Sequence, residues 1–176
     1  EKIEDYASRI SKHIDTGNPI LIGLSFGGII ATEVAKHVKC EKLLLIASAK
    51  TKFEIPSIYR IIGKLNLDKL VPSQLLTKPN FILDWIFGVK NKTDKILLAK
   101  IIQDTDPIFL KWAIRKILTW KNIEVGQNSV HIHGTNDRIL PYKNITNPIK
   151  VNKGGHFMTI DKSEEITKLL QIEIEK

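Results

Sequence analysis

The sequence of 176 residues holds one cysteine, Cys40, so no disulfide framework can form within the chain. A buried thiol in a reducing, cytoplasmic setting is the expectation. No apolar run approaches the roughly 18 residues that cross a bilayer. The opening "EKIEDYASRI" lacks the basic stretch and apolar core of a signal peptide. Arginine is scarce: only Arg9, Arg60, Arg115 and Arg138 stand among 27 basic residues. A net charge of +8 would suit nucleic acid, but singly scattered lysines lack the planar two-pronged contacts of arginine. No nucleic-acid role is expected, while an anionic substrate or an acidic carrier protein is compatible with such a surface. Repeats and low-complexity tracts are also missing. The length suits about one domain with one core.

What is present is an alternation of helix and strand. Ile3, Tyr6, Ala7, Ile10 and Ile14 fall on one helical face that stops at "DTGNP". "PILIGL" is short and wholly apolar, the pattern of a parallel strand buried on both faces. "FGGIIATEVAKHVK" repeats apolar residues at helical spacing, and "KLLLIASA" is a second apolar strand. This order predicts parallel pairing with right-handed crossovers. From Lys50 to Gly126 only helix-like patterns occur, with Thr93 and the pair Asp106-Pro107 as expected helix starts. Trp85, Trp112 and Trp120, with Phe53, Phe81, Phe87 and Phe109, fall in this apolar insertion, where aromatics at helical spacing ordinarily serve as core. Strands resume at "SVHIHG" and "PIKV", and "DKSEEITKLLQIEIEK" closes the chain as a helix.

Gly23-Leu24-Ser25-Phe26-Gly27 fits G-x-S-x-G at a strand-to-helix junction, where a sharp turn exposes the serine. Side chains at Gly23 or Gly27 are expected to collide with neighbouring backbone. The helix that follows aims its positive end at Ser25, and the backbone N–H of Phe26 is placed to donate to an oxyanion. A serine hydroxyl needs a base, and the base needs a carboxylate. His156 in "KGGHF" and Asp137 in "HGTNDRILP" each follow a predicted strand, so both should collect with Ser25 on one rim of the sheet. Asp104 and Asp106 are rivals for the acid but fall in the helical insertion. His131 and His133 point to one side of a strand, as two metal ligands would, yet no third ligand has suitable spacing, so no metal is expected. His13 and His37 read as exposed positions on helices.

On these residues the sequence resembles the α/β-hydrolase family. "GLSFGG", "HGTNDRILP" and "GGHF" look like its nucleophile elbow, acid loop and histidine loop, and Ser25, Asp137 and His156 follow its chain order. The resemblance implies a mainly parallel sheet with flanking helices. It also implies a division into a core segment 1–49, a helical lid 50–126 and a core segment 127–176. The family places several strands and an oxyanion loop before the elbow strand, whereas one helix precedes it here. The expectation is therefore the C-terminal part of such a fold, weakly active alone and prone to associate through an open apolar edge. The "HG" of His133 and Gly134 belongs to the acid loop and cannot replace the oxyanion loop. The implied activity is cleavage of a carboxylic ester of a small acyl substrate through an acyl-enzyme, without a cofactor. Thioesterase and acyltransferase chemistry share that logic, while dehalogenases and epoxide hydrolases of the family use aspartate at the serine's position. The alternative is a non-catalytic protein of this fold that binds a ligand or a partner.

Overall fold

The computed structural model describes residues 1–176. Short apolar runs that follow turn residues extend as strands: β1 at Ile20–Leu24, β2 at Lys42–Ile46, β3 at Ser129–Gly134 and β4 at Ile149–Val151. They form one four-stranded sheet in the order β1-β2-β3-β4. Every pair is parallel, with Leu24 opposite Ile46, Ile46 opposite Ile132 and Gly134 opposite Val151. A sheet of this kind needs helical crossovers and lays them on its faces. Helix α1, Ile3–Ser11, and helix α2, Phe26–Val34, lie on one face. Ile3, Ala7, Ile29, Ile30 and Val34 pack there with Trp120, Leu140 and Ile145.

Between β2 and β3 the only regular elements are helical: α3 Ser57–Lys64, α4 Ser73–Leu76, α5 Phe81–Phe87, α6 Lys92–Asp104 and α7 Pro107–Thr119, with a 3-10 turn at Leu67–Leu70. Asp106 caps α7 as its sequence predicts, accepting from the N–H of Phe109 at 2.6 Å, with Pro107 in the first turn. The start of α6 differs from expectation. Asn91, not Thr93, is the cap, and it accepts from the N–H of Asp94 at 2.8 Å. A planar amide one step outside the helix reaches the free N–H groups, whereas Thr93 already lies within the first turn.

The helix α8, Met158–Asp161, and the closing helix α9, Ser163–Glu175, cover the second face. Met158 and Ile166 meet Ile46, Ile132 and Val151 there. Leu43, Leu44 and Leu45 of β2 are almost wholly buried, each contributing about 1.5–3 kcal/mol by leaving water. β1 departs from the expected burial on both faces. It is an outer strand, and Ile22 and Leu24 remain 49% and 45% exposed on the second face, beyond the part that α8 and α9 cover. The aromatic residues of the insertion also divide. Trp120 is buried, its Nε1–H donating to the buried carboxylate of Glu33 at 2.7 Å. Phe53, Phe81 and Trp85, by contrast, are 61%, 79% and 61% exposed, so they are not core. No helix is long and apolar enough to cross a membrane.

Candidate active site

Each strand hands its chain to the same rim at its C-terminal end. β1 ends at Ser25, β2 leads to Ser48, the loop after β3 carries Asp137, and the loop after β4 carries His156. Ser25 sits at φ 50°, ψ −121°, a conformation that L residues rarely adopt. Neighbouring backbone holds it there. The N–H of Ser25 donates to the carbonyl of Ile46 at 2.9 Å, and its own carbonyl accepts from the N–H of Gly28 at 3.0 Å. Such a turn demands small residues, but not at both expected positions. A Cβ on Gly23 would lie 2.4 Å from the Cα of Gly28 and 2.5 Å from the carbonyl oxygen of Gly27. Gly27 itself faces open space, which corrects the expected collision there. The crowded partner is Gly28, where a Cβ would lie 2.3 Å from the Oγ of Ser48.

The three predicted side chains meet. Ser25 Oγ lies 2.8 Å from Nε2 of His156, and Nδ1 of His156 lies 2.8 Å from Oδ2 of Asp137. Asp137 and His156 are 4% and 5% exposed, which shelters their pairing from water. The second carboxylate oxygen, Oδ1, accepts from the N–H groups of Ile139 and Leu140, each at 2.9 Å. These donors fix the carboxylate within its own turn, an arrangement typical of aspartate in loops. Asp137 accepts from Nδ1, so the lone pair of His156 faces the serine hydroxyl and can receive its proton. Phe26 opens α2, where the first N–H groups have no acceptor inside the helix. The rival carboxylates lie elsewhere, Asp104 at the end of α6 and Asp106 engaged as the cap of α7.

Two parts of the helical insertion touch this rim. The ring of Phe26 meets Phe109 and Trp112 of α7 edge-on, with centroids 6.3 and 5.7 Å apart. Phe87 of α5 stands edge-on to the imidazole of His156 at 5.5 Å. Arg138, next to the acid, donates to the carbonyl of Trp85 and lies over that indole at 4.5 Å. An open groove of about 660 Å³ between α1 and α7, lined in part by Lys2, Glu4, Arg115 and Trp120, includes none of the three rim side chains.

Several polar residues lie beneath the rim, and two of them, Ser48 and Glu54, carry no sequence signal. Ser48 is the middle of an unremarkable "ASA", and Glu54 precedes the first helix of the insertion. His131 and His133 are fully buried, with Nδ1 of His133 3.1 Å from Nε2 of His131 and Nε2 of His133 2.7 Å from the carbonyl of Leu140. Ser48 N–H also approaches Nε2 of His131, at 3.3 Å. Burial drives the pKa of His131 down to about 3, aided by His133 and Lys50, and lowers that of His133 against the opposing pull of Asp137. The two imidazoles thus face each other and backbone groups.

The fold agrees with known structures. The chain superposes on a meta-cleavage product hydrolase from Pseudomonas fluorescens with a TM-score of 0.68 at 14% identity, covering 99% of this chain and 72% of the other. A thermophilic esterase gives 0.66 at 16% identity, covering 99% and 73%. An alpha/beta hydrolase from a deep-sea metagenome library of the Medee basin gives 0.60 at 15% identity, covering 98% and 70%. The chain therefore has the α/β-hydrolase fold, shared by neighbours named as hydrolases, esterases, lipases and bromoperoxidases. No family model and no curated protein matches the sequence.

Proposed function

We propose that this chain is a serine hydrolase that cleaves a carboxylic ester, or a related acyl compound, through an acyl-enzyme. The observation that carries the reading is the unbroken line of hydrogen bonds from Ser25 Oγ through His156 to Asp137, each 2.8 Å long. In this mechanism Ser25 Oγ bonds to the acyl carbon while its proton passes to Nε2 of His156. The carbonyl oxygen takes the negative charge, and the N–H of Phe26 at the positive end of α2 donates to it. When the carbonyl re-forms, the bond to the leaving alcohol breaks and His156 returns the proton to that oxygen. Water then repeats the sequence against the acyl-serine and frees the acid. Asp137 holds the imidazole in the required tautomer and offsets its charge.

Residues 50–126 act as the lid over this site. The contacts of Phe109 and Trp112 with Phe26, and of Phe87 with His156, favour an apolar or aromatic acyl group, because such walls offer few partners to buried polar atoms. A fluorophosphonate probe tests the reading. It should label Ser25 in the wild type and fail to label the Ser25→Ala and His156→Ala variants. An unlabelled but folded wild type would favour the ligand-binding alternative and overturn the enzyme.

A further inference from the structure

The carboxylate of Asp137 owes its position to a turn whose start is bonded to Val151 and Gly154, through the N–H groups of Thr135 and Asn136, and whose end rests on Leu140. Leu140 supplies an N–H to Oδ1 of Asp137 at 2.9 Å, while the carbonyl of the same residue accepts from Nε2 of His133 at 2.7 Å. His133 is the only donor that this carbonyl has. It stands on β3, in the sheet itself, so its imidazole ties the far end of the acid loop to the sheet, as the N–H of Thr135 on Val151 of β4 ties the near end. The same nitrogen lies 3.5 Å from Oδ2 of Asp137, the oxygen that receives His156. Since His133 is fully buried, water cannot replace the bond. The ring is itself held in orientation, because its Nδ1 faces Nε2 of His131 at 3.1 Å. His131 in turn lies against Glu54, which accepts from the N–H groups of Lys50 and Thr146.

We propose that His133 is a positioning residue for the acid: by gripping the Leu140 carbonyl it fixes the turn that aims Asp137 at His156. The proposal rests on the reading of Asp137 as the acid of the triad. His133 touches neither substrate nor the reacting atoms of Ser25 and His156; it acts through the loop and through its approach to the Asp137 carboxylate. Its neutral form, which burial favours, suffices, with the proton on the Nε2 that faces the Leu140 carbonyl. Loss of this grip lets the carboxylate drift by a fraction of an ångström, enough to weaken proton transfer while leaving the acyl pocket untouched.

Two substitutions separate the grip from mere bulk. In His133→Gln the amide N–H reaches the position of Nε2 and can still donate to Leu140. In His133→Asn the shorter amide stops at the position of Nδ1, so the carbonyl loses its donor. The expected kinetics are a kcat reduced about 10- to 100-fold with KM unchanged in His133→Asn, and values near wild type in His133→Gln. Proton NMR of the Nδ1–H of His156 reads the same geometry without turnover. Its strongly downfield resonance should persist in His133→Gln and move upfield in His133→Asn. If the wild type lacks that resonance, the triad reading itself fails. If the wild type shows it and both variants keep it, or both lose it, the role of His133 is overturned.

Discussion

The hydroxyl of Ser48 donates to the carbonyl oxygen of Ser25 at 2.7 Å, so the strand beside the elbow holds the elbow serine by its backbone. Ser48 reaches that position because β2 ends abruptly. Ala47 turns at φ 45°, and the chain drops beneath the rim rather than continuing outward. The strained φ of Ser25 is thus over-determined by Ile46, Gly28 and Ser48 together.

Ser48→Ala should therefore act on the elbow without touching the three side chains above it. Removing the hydroxyl leaves the carbonyl of Ser25 with Gly28 alone, at an expected cost of about 1 kcal/mol in stability. The rate of fluorophosphonate labelling should fall several-fold as the serine gains freedom. Chemical denaturation and labelling kinetics on the same preparation check both effects, and wild-type values in both would refute the role.

The glycines of the elbow should respond unequally to alanine. In Gly23→Ala the new methyl lies 2.4 Å from backbone that cannot rotate away, so a loss of several kcal/mol, or failure to fold, is expected. Gly27→Ala meets nothing within 4 Å and lies in the first turn of α2, where alanine is the better helix former. It should be neutral or stabilising by up to about 1 kcal/mol. Equal thermal shifts for the two variants would contradict the packing described.

How much of this was legible in the sequence depends on range. The meeting of Ser25, Asp137 and His156 was readable because each follows an apolar run, and parallel strands deliver such loops to one rim. The helical character of the insertion was readable from its apolar spacing. Asn91 was missed because a cap competes with several polar neighbours over one or two residues, and only geometry decides between them. The exposure of Ile22 and Leu24 was missed because an apolar run does not say which neighbours will cover it. Ser48 and Glu54 form their contacts across segments distant in sequence, so no local pattern encodes them; the shared side of His131 and His133 was readable, but not their bonds to Ser48 and Leu140. The crowding at Gly28 rather than Gly27 likewise depends on where Ser48 falls.

Asp137→Asn tests the acid directly. An amide nitrogen in place of Oδ2 cannot accept from Nδ1 of His156, so the imidazole would turn the wrong face to Ser25. By analogy with serine proteases, a fall in kcat of about 10⁴ is expected with little change in KM. Asp104→Asn should stay near wild type, since that carboxylate lies at the end of α6. Activity within tenfold of wild type for Asp137→Asn would remove this residue from the mechanism.

The buried imidazole of His131 makes stability depend on pH in a defined direction. Its pKa falls from the ordinary 6.5 to about 3 in the folded chain, chiefly because burial penalises the cation. At pH above 6.5 neither folded nor unfolded His131 binds a proton, and its contribution to stability is fully present. Between 6.5 and about 3 the unfolded chain binds a proton that the folded chain refuses, so stability falls as pH falls. The slope from this one group is about 1.4 kcal/mol per pH unit, and His133, lowered for the same main reason, adds in the same sense. Carboxylates also titrate in this range, so the informative quantity is the difference from a His131→Gln variant. Urea denaturation at pH 6.5 and 4.5 should show the wild type losing stability more steeply than the variant. Identical losses would mean that His131 accepts a proton in the folded chain, and that the pair beneath the acid loop is open to water.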